Sequence, residues 1–306
     1  MRILITGATG QLGRALTGEL GGLGPLLTSD RSTLDLQKTA SIAPKLDEIA
    51  PDIIINAAAY TAVDEAERNR KAALLINSVA PSAIARWAAG NGVPLIHFST
   101  DYVFSGSGHR AWSETQRPAP LSVYGTTKLA GEIAIRAVGG SHLIVRTAWV
   151  YAATGRNFLT AIIKQAQQRG ELRVVADQTG SPTPSCMIAS AVYLMLAGGI
   201  DRFRELASNA DGLVHLTASG ETTWHHFAEE IVSGLAARNI RLPVSKVIPI
   251  SSGEYNSLAP RPKNSRLCLD RLNQVFGVSP PDWKTALSAV LDDFVALLGD
   301  SECRPN

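Results

Sequence analysis

The sequence predicts an α/β protein: a doubly wound parallel sheet followed by a smaller mixed α/β part drawn mainly from the C-terminal half. Three observations predict it. Short β-rich apolar runs alternate with longer amphipathic stretches through the first half, the rhythm of strand–helix–strand units. Those runs are apolar throughout instead of alternating, as expected when helices cover both faces of a sheet. A glycine-rich turn directly follows the first run, where a parallel sheet sends its chain into a helix.

Ile3 to Thr6 is the first expected strand, followed by Leu26 to Ser29, Asp52 to Asn56, Leu95 to Ser99 and His142 to Thr147. Apolar residues at helical spacing fill most of the intervals. Beyond about residue 150 helical patterns dominate, at Asn157 to Arg169, Cys186 to Leu196, Thr223 to Arg238 and Trp283 to Leu298. Short strands are expected near Arg173 to Ala176 and Leu213 to Leu216. Prolines, among them Pro182, Pro184, Pro243 and Pro260, punctuate this half. The expected division is a sheet domain over 1–150, with later segments returning to it, and a second domain mainly over 151–306.

With 306 residues and 45% apolar composition the chain can bury a large core, which excludes wholesale disorder. Its 29 basic against 27 acidic residues leave a formal charge of +2, which argues against a nucleic-acid partner but leaves room for small anionic ligands. Cys186, Cys268 and Cys303 cannot all pair, and no Cys/His spacing suits a metal. Reduced thiols in the cytoplasm, and no metal, are expected. The residues before the first glycine are too short for a signal peptide, and no run approaches the roughly 18 apolar residues of a membrane helix.

Gly7, Gly10 and Gly13 stand at a G-x-x-G-x-x-G spacing between the first strand and the first helix. A sharp turn without side chains lets a pyrophosphate reach the backbone amides, and the helix N-terminus adds partial positive charge. Asp30 ends the second strand, where a carboxylate can hold the adenosine ribose hydroxyls and favour NADH. Ser29 and Arg31 flank it and suit a 2′-phosphate, so NADPH or NADH is expected. Tyr124 and Lys128 are spaced i, i+4 on one helix face. A lysine near a phenol lowers its pKa, so that the phenol can give a proton to a developing alkoxide. The bland alternative is a solvated helix face. Thr100 weakens it by placing a hydroxyl at the end of the fourth strand, since ligands bind at the carboxyl ends of parallel strands.

Together these residues resemble the extended short-chain dehydrogenase/reductase family, whose fold is a Rossmann-type sheet. More narrowly, Asn56-Ala57-Ala58-Ala59-Tyr60-Thr61-Ala62-Val63-Asp64 and Ser99-Thr100-Asp101-Tyr102-Val103-Phe104 resemble the dTDP-4-dehydrorhamnose reductases. So do Arg146-Thr147-Ala148-Trp149-Val150-Tyr151, Asp177-Gln178-x-Gly180-x-Pro182-Thr183 and Arg261-Pro262-x-Asn264-Ser265-Arg266-Leu267. The resemblance implies reduction of the 4-keto group of dTDP-4-dehydro-β-L-rhamnose to dTDP-L-rhamnose, with Tyr124 as proton donor, Lys128 tuning it and Thr100 orienting the carbonyl. It further implies coenzyme contacts from Gly10, Gln11, Leu12, Asp30, Asp35, Leu36, Ala57, Ala58, Ala59 and Tyr102. Thr100, Asp101 and Trp149 are expected to meet the sugar nucleotide.

Arg261, Lys263, Arg266 and Arg271 form a cationic stretch with Asp270 its lone acid. Such a stretch suits a diphosphate, with Arg261, Asn264 and Arg266 as expected substrate contacts; the bland reading is a solvated basic loop. His97 reads as a satisfied core histidine, His109 as surface, and His225 and His226 as helix-start residues. Sugar-nucleotide dehydratases and epimerases share the fold and the tyrosine–lysine pair. Dehydratases carry an Asp-Glu pair after the threonine, whereas Tyr102 follows Asp101 here. A non-catalytic NADP-binding regulatory subunit is the remaining alternative. Some family members dimerise through magnesium held by glutamates, but the first helix begins Gly13-Arg14-Ala15-Leu16 and Cys186 occupies the region of another such acid. The expected state is a monomer or weak homodimer without a magnesium bridge.

Overall fold

The computed structural model describes residues 1–302, so Cys303 lies outside the described residues. Six parallel strands form the central sheet: β1 (Ile3–Thr6), β2 (Leu26–Ser29), β3 (Ile53–Asn56), β4 (Leu95–Thr100), β5 (His142–Thr147) and β6 (Leu213–His215). Their spatial order is β6-β5-β4-β3-β1-β2. The chain first steps from β1 to β2 and then crosses to the other side of β1, so the carboxyl ends of β1 and β3 flank a topological switch point.

Neighbouring residues of one strand enter different cores, which is what double winding requires. Ile3, Ile5, Ile53, Ile55 and Ile96 pack on one side with Leu16 of helix α1 (Gln11–Glu19). The helix Ser185–Leu196 joins the same side through Ile188, Val192 and Met195. Leu4, Ile54, Leu95 and Ile144 pack on the other side with Leu46, Ile84 and Ile135. Ile135 belongs to helix α2 (Val123–Val138), which carries the expected tyrosine–lysine pair. Each such buried aliphatic side chain contributes about 1.5–3 kcal/mol relative to exposure.

A separate apolar cluster organises much of the rest. Tyr151, Leu159, Ile163, Phe227, Ile231, Trp283 and Leu287 meet there, with Phe227 and Ile231 supplied by helix α3 (Trp224–Ala237). Thr223 caps α3 by accepting the backbone N–H of His226 at 3.1 Å. A parallel pair, Glu171–Val175 with Lys246–Ile250, borders this cluster. The first of these strands starts two residues earlier than expected. The second escapes sequence reading because Pro249 interrupts its short apolar run, Val247, Ile248 and Ile250, and a proline inside a run argues against a strand.

The expected sheet strands all form, with β4 continuing to Thr100. Leu213–His215 joins the main sheet, pairing with Ile144–Arg146 of β5. No single helix among the described residues is long and apolar enough to cross a membrane.

Candidate active site

The carboxyl ends of the sheet open into a cleft of ≈ 710 Å³. Its floor is the glycine turn. Gly7 has φ +69°, and a Cβ there would sit 2.7 Å from the Ala58 Cα. A Cβ on Gly13 would meet the Gly7 carbonyl oxygen at 2.2 Å. Gly13 therefore packs beneath the turn, while Gly7, Gly10, Gln11 and Leu12 line the cleft. Gly10 begins α1 without any side-chain cap, leaving first-turn amides for an anion. Ala57, Ala58 and Ala59 face this turn from the end of β3 and line the same cleft.

Asp30 and Arg31 form one wall, continued by Asp35 and Leu36. One oxygen of Asp30 accepts the Ser32 backbone N–H at 2.8 Å and the Ser32 hydroxyl at 2.6 Å. These hydrogen bonds hold its carboxyl below the usual range. Arg31 is exposed beside it, so both an acid and a base face the cleft.

At the end of β4 the Thr100 hydroxyl donates to Asp101 Oδ1 at 3.0 Å and accepts the Tyr102 backbone N–H at 3.2 Å. Ser122 caps α2 through the Gly125 N–H at 3.2 Å, which puts Tyr124 in the first turn. Gly125 is needed for this approach: a Cβ would lie 2.2 Å from the Tyr102 carbonyl oxygen. Burial pushes the Tyr124 phenol up to about 12, opposed by a hydrogen bond with Thr100. The Tyr102 ring meets Tyr124 edge-on with centroids 5.4 Å apart. Lys128 lies one turn beyond Tyr124 and is 1% exposed. Its ammonium nitrogen donates to the Phe98 carbonyl at 2.6 Å, and burial brings it down to about 8 against the opposing pull of Glu132. Burial likewise raises Asp101 to about 6, with hydrogen bonds from Ser265 and Thr100 working the other way.

Trp149, expected to meet the sugar nucleotide, stands in the cleft wall. It is packed firmly in place. Its φ is +51°, its ring stacks on Trp224 at 3.6 Å, and a Cβ on Gly180 would strike it at 2.6 Å. Trp224 is fixed in turn by donating to Gln178 Oε1 at 3.2 Å.

The family described as the RmlD substrate binding domain matches residues 1–296. A dTDP-4-dehydrorhamnose reductase of Burkholderia thailandensis is 39% identical over 97% of this chain and 100% of its own. That of Escherichia coli K12 is also 39% identical, over 96% of this chain and 98% of its own. The chain belongs to the dTDP-4-dehydrorhamnose reductase family. Among solved structures, the family reductase of Clostridium acetobutylicum superposes with a TM-score of 0.88 at 34% identity, over 96% of this chain and 100% of that one. The Bacillus anthracis reductase, solved in complex with NADP, gives 0.86 at 33% identity, over 95% and 99%.

Within this reductase-family fold the basic stretch behaves differently from its sequence reading. Arg261 is bound to Asp64 at 2.6 Å, Lys263 to Asp177 at 3.1 Å and Arg266 to Glu221 at 3.1 Å. Arg271 donates to the Ala210 and Leu213 carbonyls at 2.8 and 3.0 Å. Asn264 is buried, donating to the Arg110 carbonyl at 2.8 Å and accepting from Arg266 Nε at 2.8 Å. Arg261, Asn264 and Arg266 do not line the cleft. The stretch is thus a clasp between distant segments and not an open cationic patch, because each arginine meets an acid or carbonyl from elsewhere in the chain.

The cation that sequence reading missed is Arg156. It is exposed at the cleft wall, next to Asn157 and Phe158, and forms no ion pair among the described residues. Its sequence signal was faint: an arginine after a glycine, just ahead of an Asn helix cap. His97 is fully buried as expected, and its partners prove more informative than its burial.

Proposed function

We propose that this protein reduces the 4-keto group of dTDP-4-dehydro-β-L-rhamnose to give dTDP-L-rhamnose, using NADPH or NADH. The observation that carries the reading is convergence: Thr100, Tyr124 and Lys128 face one cleft whose opposite end is a side-chain-free anion cradle. The cradle fits a dinucleotide, since a Cβ at Gly7 would intrude on the backbone where the turn must pass close to Ala58. Gly10, Gln11, Leu12, Asp30, Arg31, Asp35, Leu36 and Ala57 to Ala59 would hold the coenzyme, joined by Tyr102 and Lys128. When bound, the reduced nicotinamide supplies the hydride.

The chain's own residues manage the oxygen. Thr100 and Tyr124 hold the sugar carbonyl between two hydroxyls, and Tyr124 gives its proton as negative charge develops. Lys128 then replenishes the phenol. Burial raises the Tyr124 pKa where the neighbouring lysine was expected to lower it, so the phenol stays protonated, as a proton donor should. Asp101 and Trp149 line the sugar end of the cleft, and Arg156, with no ion pair among the described residues, supplies a diphosphate contact that Arg261 and Arg266, already paired, do not. Residues 1–150, with β6 and the helix Ser185–Leu196 returning to their sheet, serve as the coenzyme part, and the other described residues beyond 150 mainly close over the sugar nucleotide. A cytoplasmic monomer or weak homodimer, engaging neither nucleic acid nor membrane, completes the reading.

The test is NAD(P)H oxidation with dTDP-4-dehydrorhamnose by the wild type and Tyr124→Phe. The wild type turns over, and the variant loses about 10²- to 10⁴-fold in kcat. Coenzyme binding without turnover of the keto sugar would sink the reductase reading in favour of a regulatory NADP-binding role. Full activity in the variant would remove Tyr124 as the donor.

A further inference from the structure

A buried chain of hydrogen bonds runs from the first strand to Lys128. The Thr6 hydroxyl donates to Asn56 Oδ1 at 2.6 Å, and the Ala58 backbone N–H donates to the same oxygen at 3.2 Å. An amide N–H only donates, so it fixes which end of the Asn56 side chain is oxygen. The Asn56 amide nitrogen then lies 3.0 Å from His97 Nδ1. That nitrogen has hydrogens to give and no lone pair to offer, so His97 Nδ1 is an acceptor. A neutral imidazole with Nδ1 unprotonated carries its proton on Nε2. His97 Nε2 is 3.2 Å from Lys128 Nζ.

An ammonium has three donors and no lone pair. Facing an Nε2–H, a charged Lys128 sets donor against donor, whereas a neutral amine accepts from Nε2 and still donates to Phe98. The remaining titratable and charged groups around Lys128 do not relieve the conflict. Glu132, one turn on along α2, is bound by Arg146 from β5 through one guanidinium edge, Nε and Nη2. Tyr124 and Asp101 sit at the cleft end and, being buried, are both displaced toward their neutral forms. Asn56 and Asn77, from β3 and the helical segment after Leu74, carry no charge.

We propose that His97, held by Asn56 with its proton on Nε2, is a positioning residue that favours the neutral amine of Lys128, so that Lys128 readily releases and regains a proton during turnover. The direction agrees with burial bringing Lys128 down to about 8, a pH at which a proton moves either way at small cost. The inference rests on the proposed reductase reading for its role in turnover, but the relay itself is a property of the folded chain. Sequence reading took His97 as a satisfied core residue; the relay shows what satisfies it.

The experiment has two readouts. Long-range ¹H–¹⁵N correlation on histidine-labelled protein reports which ring nitrogen of His97 is protonated, with its signals assigned in the wild type itself by through-space contacts to the Asn56 side chain. Wild type shows Nε2–H. In Asn56→Asp a carboxylate oxygen replaces the amide nitrogen, the ring turns to Nδ1–H, and Nε2 becomes an acceptor for the Lys128 ammonium. The high-pH limb of kcat, where the lysine can no longer replenish Tyr124, then moves up by about one pH unit. Residue 97 acting only as packing would lower kcat without moving that limb, and this outcome overturns the proposal. An Nδ1–H tautomer in wild type overturns it without any variant, even if Asn56→Asp fails to fold. Wild type that shows Nε2–H but turns over no keto sugar refutes the reductase reading while upholding the relay.

Discussion

Removing the Glu132 carboxylate should cost this protein much of its stability. Arg146 Nε and Nη2 donate to its two oxygens at 2.9 and 2.6 Å, and both side chains are only 3% exposed. Ser99 donates to the same carboxylate, and the guanidinium lies over the Phe104 ring at 5.0 Å. Arg146 Nη1 already has no hydrogen-bond partner among the described residues, and Glu132→Ala would strand the guanidinium charge. Breaking a buried pair from one side costs about 3–5 kcal/mol, against a total stability on the order of 5–15 kcal/mol. Urea unfolding of Glu132→Ala should show that loss. The double variant Glu132→Met, Arg146→Leu should recover most of it, because the uncompensated charge is gone and the volume is refilled. A single-variant cost below about 1 kcal/mol, or a double variant as weak as the two singles added together, would refute the reasoning.

The remaining predictions concern the cradle, a buried acid and the cleft wall. Gly7→Ala forces a side chain into a φ of +69° and against Ala58; NADPH affinity by fluorescence titration should fall at least about tenfold, and unchanged affinity would show that the turn relaxes at no cost. Burial raises Asp101 to about 6 from its usual 3.8, so the folded chain holds a proton that the unfolded chain releases. Its contribution makes stability fall as pH rises from about 4 to about 6 and levels off above. Asp101→Asn should flatten that decline in urea midpoints measured from pH 4 to 7, and parallel curves would contradict it. Arg156→Ala should raise KM for the dTDP-sugar about fivefold or more while leaving kcat close to wild type, because the residue is placed to bind and not to react; a fall confined to kcat would argue against a diphosphate contact.

Where short-range pattern determines the outcome, the sequence was readable. The strands ending at Thr6, Ser29, Asn56, Thr100 and Thr147 follow from apolar runs that no solvated segment would carry, and the turn between Gly7 and Gly13 from a glycine triplet whose first and last members answer a local steric demand. Tyr124 and Lys128 came together because a helix places i and i+4 on one face. What stayed hidden was pairing at long range. Asp64 and Arg261 are far apart in sequence, so nothing near Arg261 revealed that its charge was already taken. Glu221 does the same to Arg266. The relay through Asn56, His97 and Lys128 joins three elements, and only their packing shows which atoms meet. Arg156 escaped for the opposite reason: it stands in a loop with no ion-pair partner among the described residues, so no pattern around it marked it.

The return of Leu213–His215 to the main sheet bears on how the chain is made. During synthesis five strands emerge early, but β5 remains an open edge of buried aliphatic residues until the sixth arrives. The face of α1 that receives the helix Ser185–Leu196 waits in the same way. A nascent chain halted soon after residue 150 would therefore present an unpaired edge and an uncovered apolar face, both invitations to aggregation. The same connectivity argues against excising the sheet by truncation. A soluble fragment would have to carry the later segments too, grafted by a new linker across the piece that was removed.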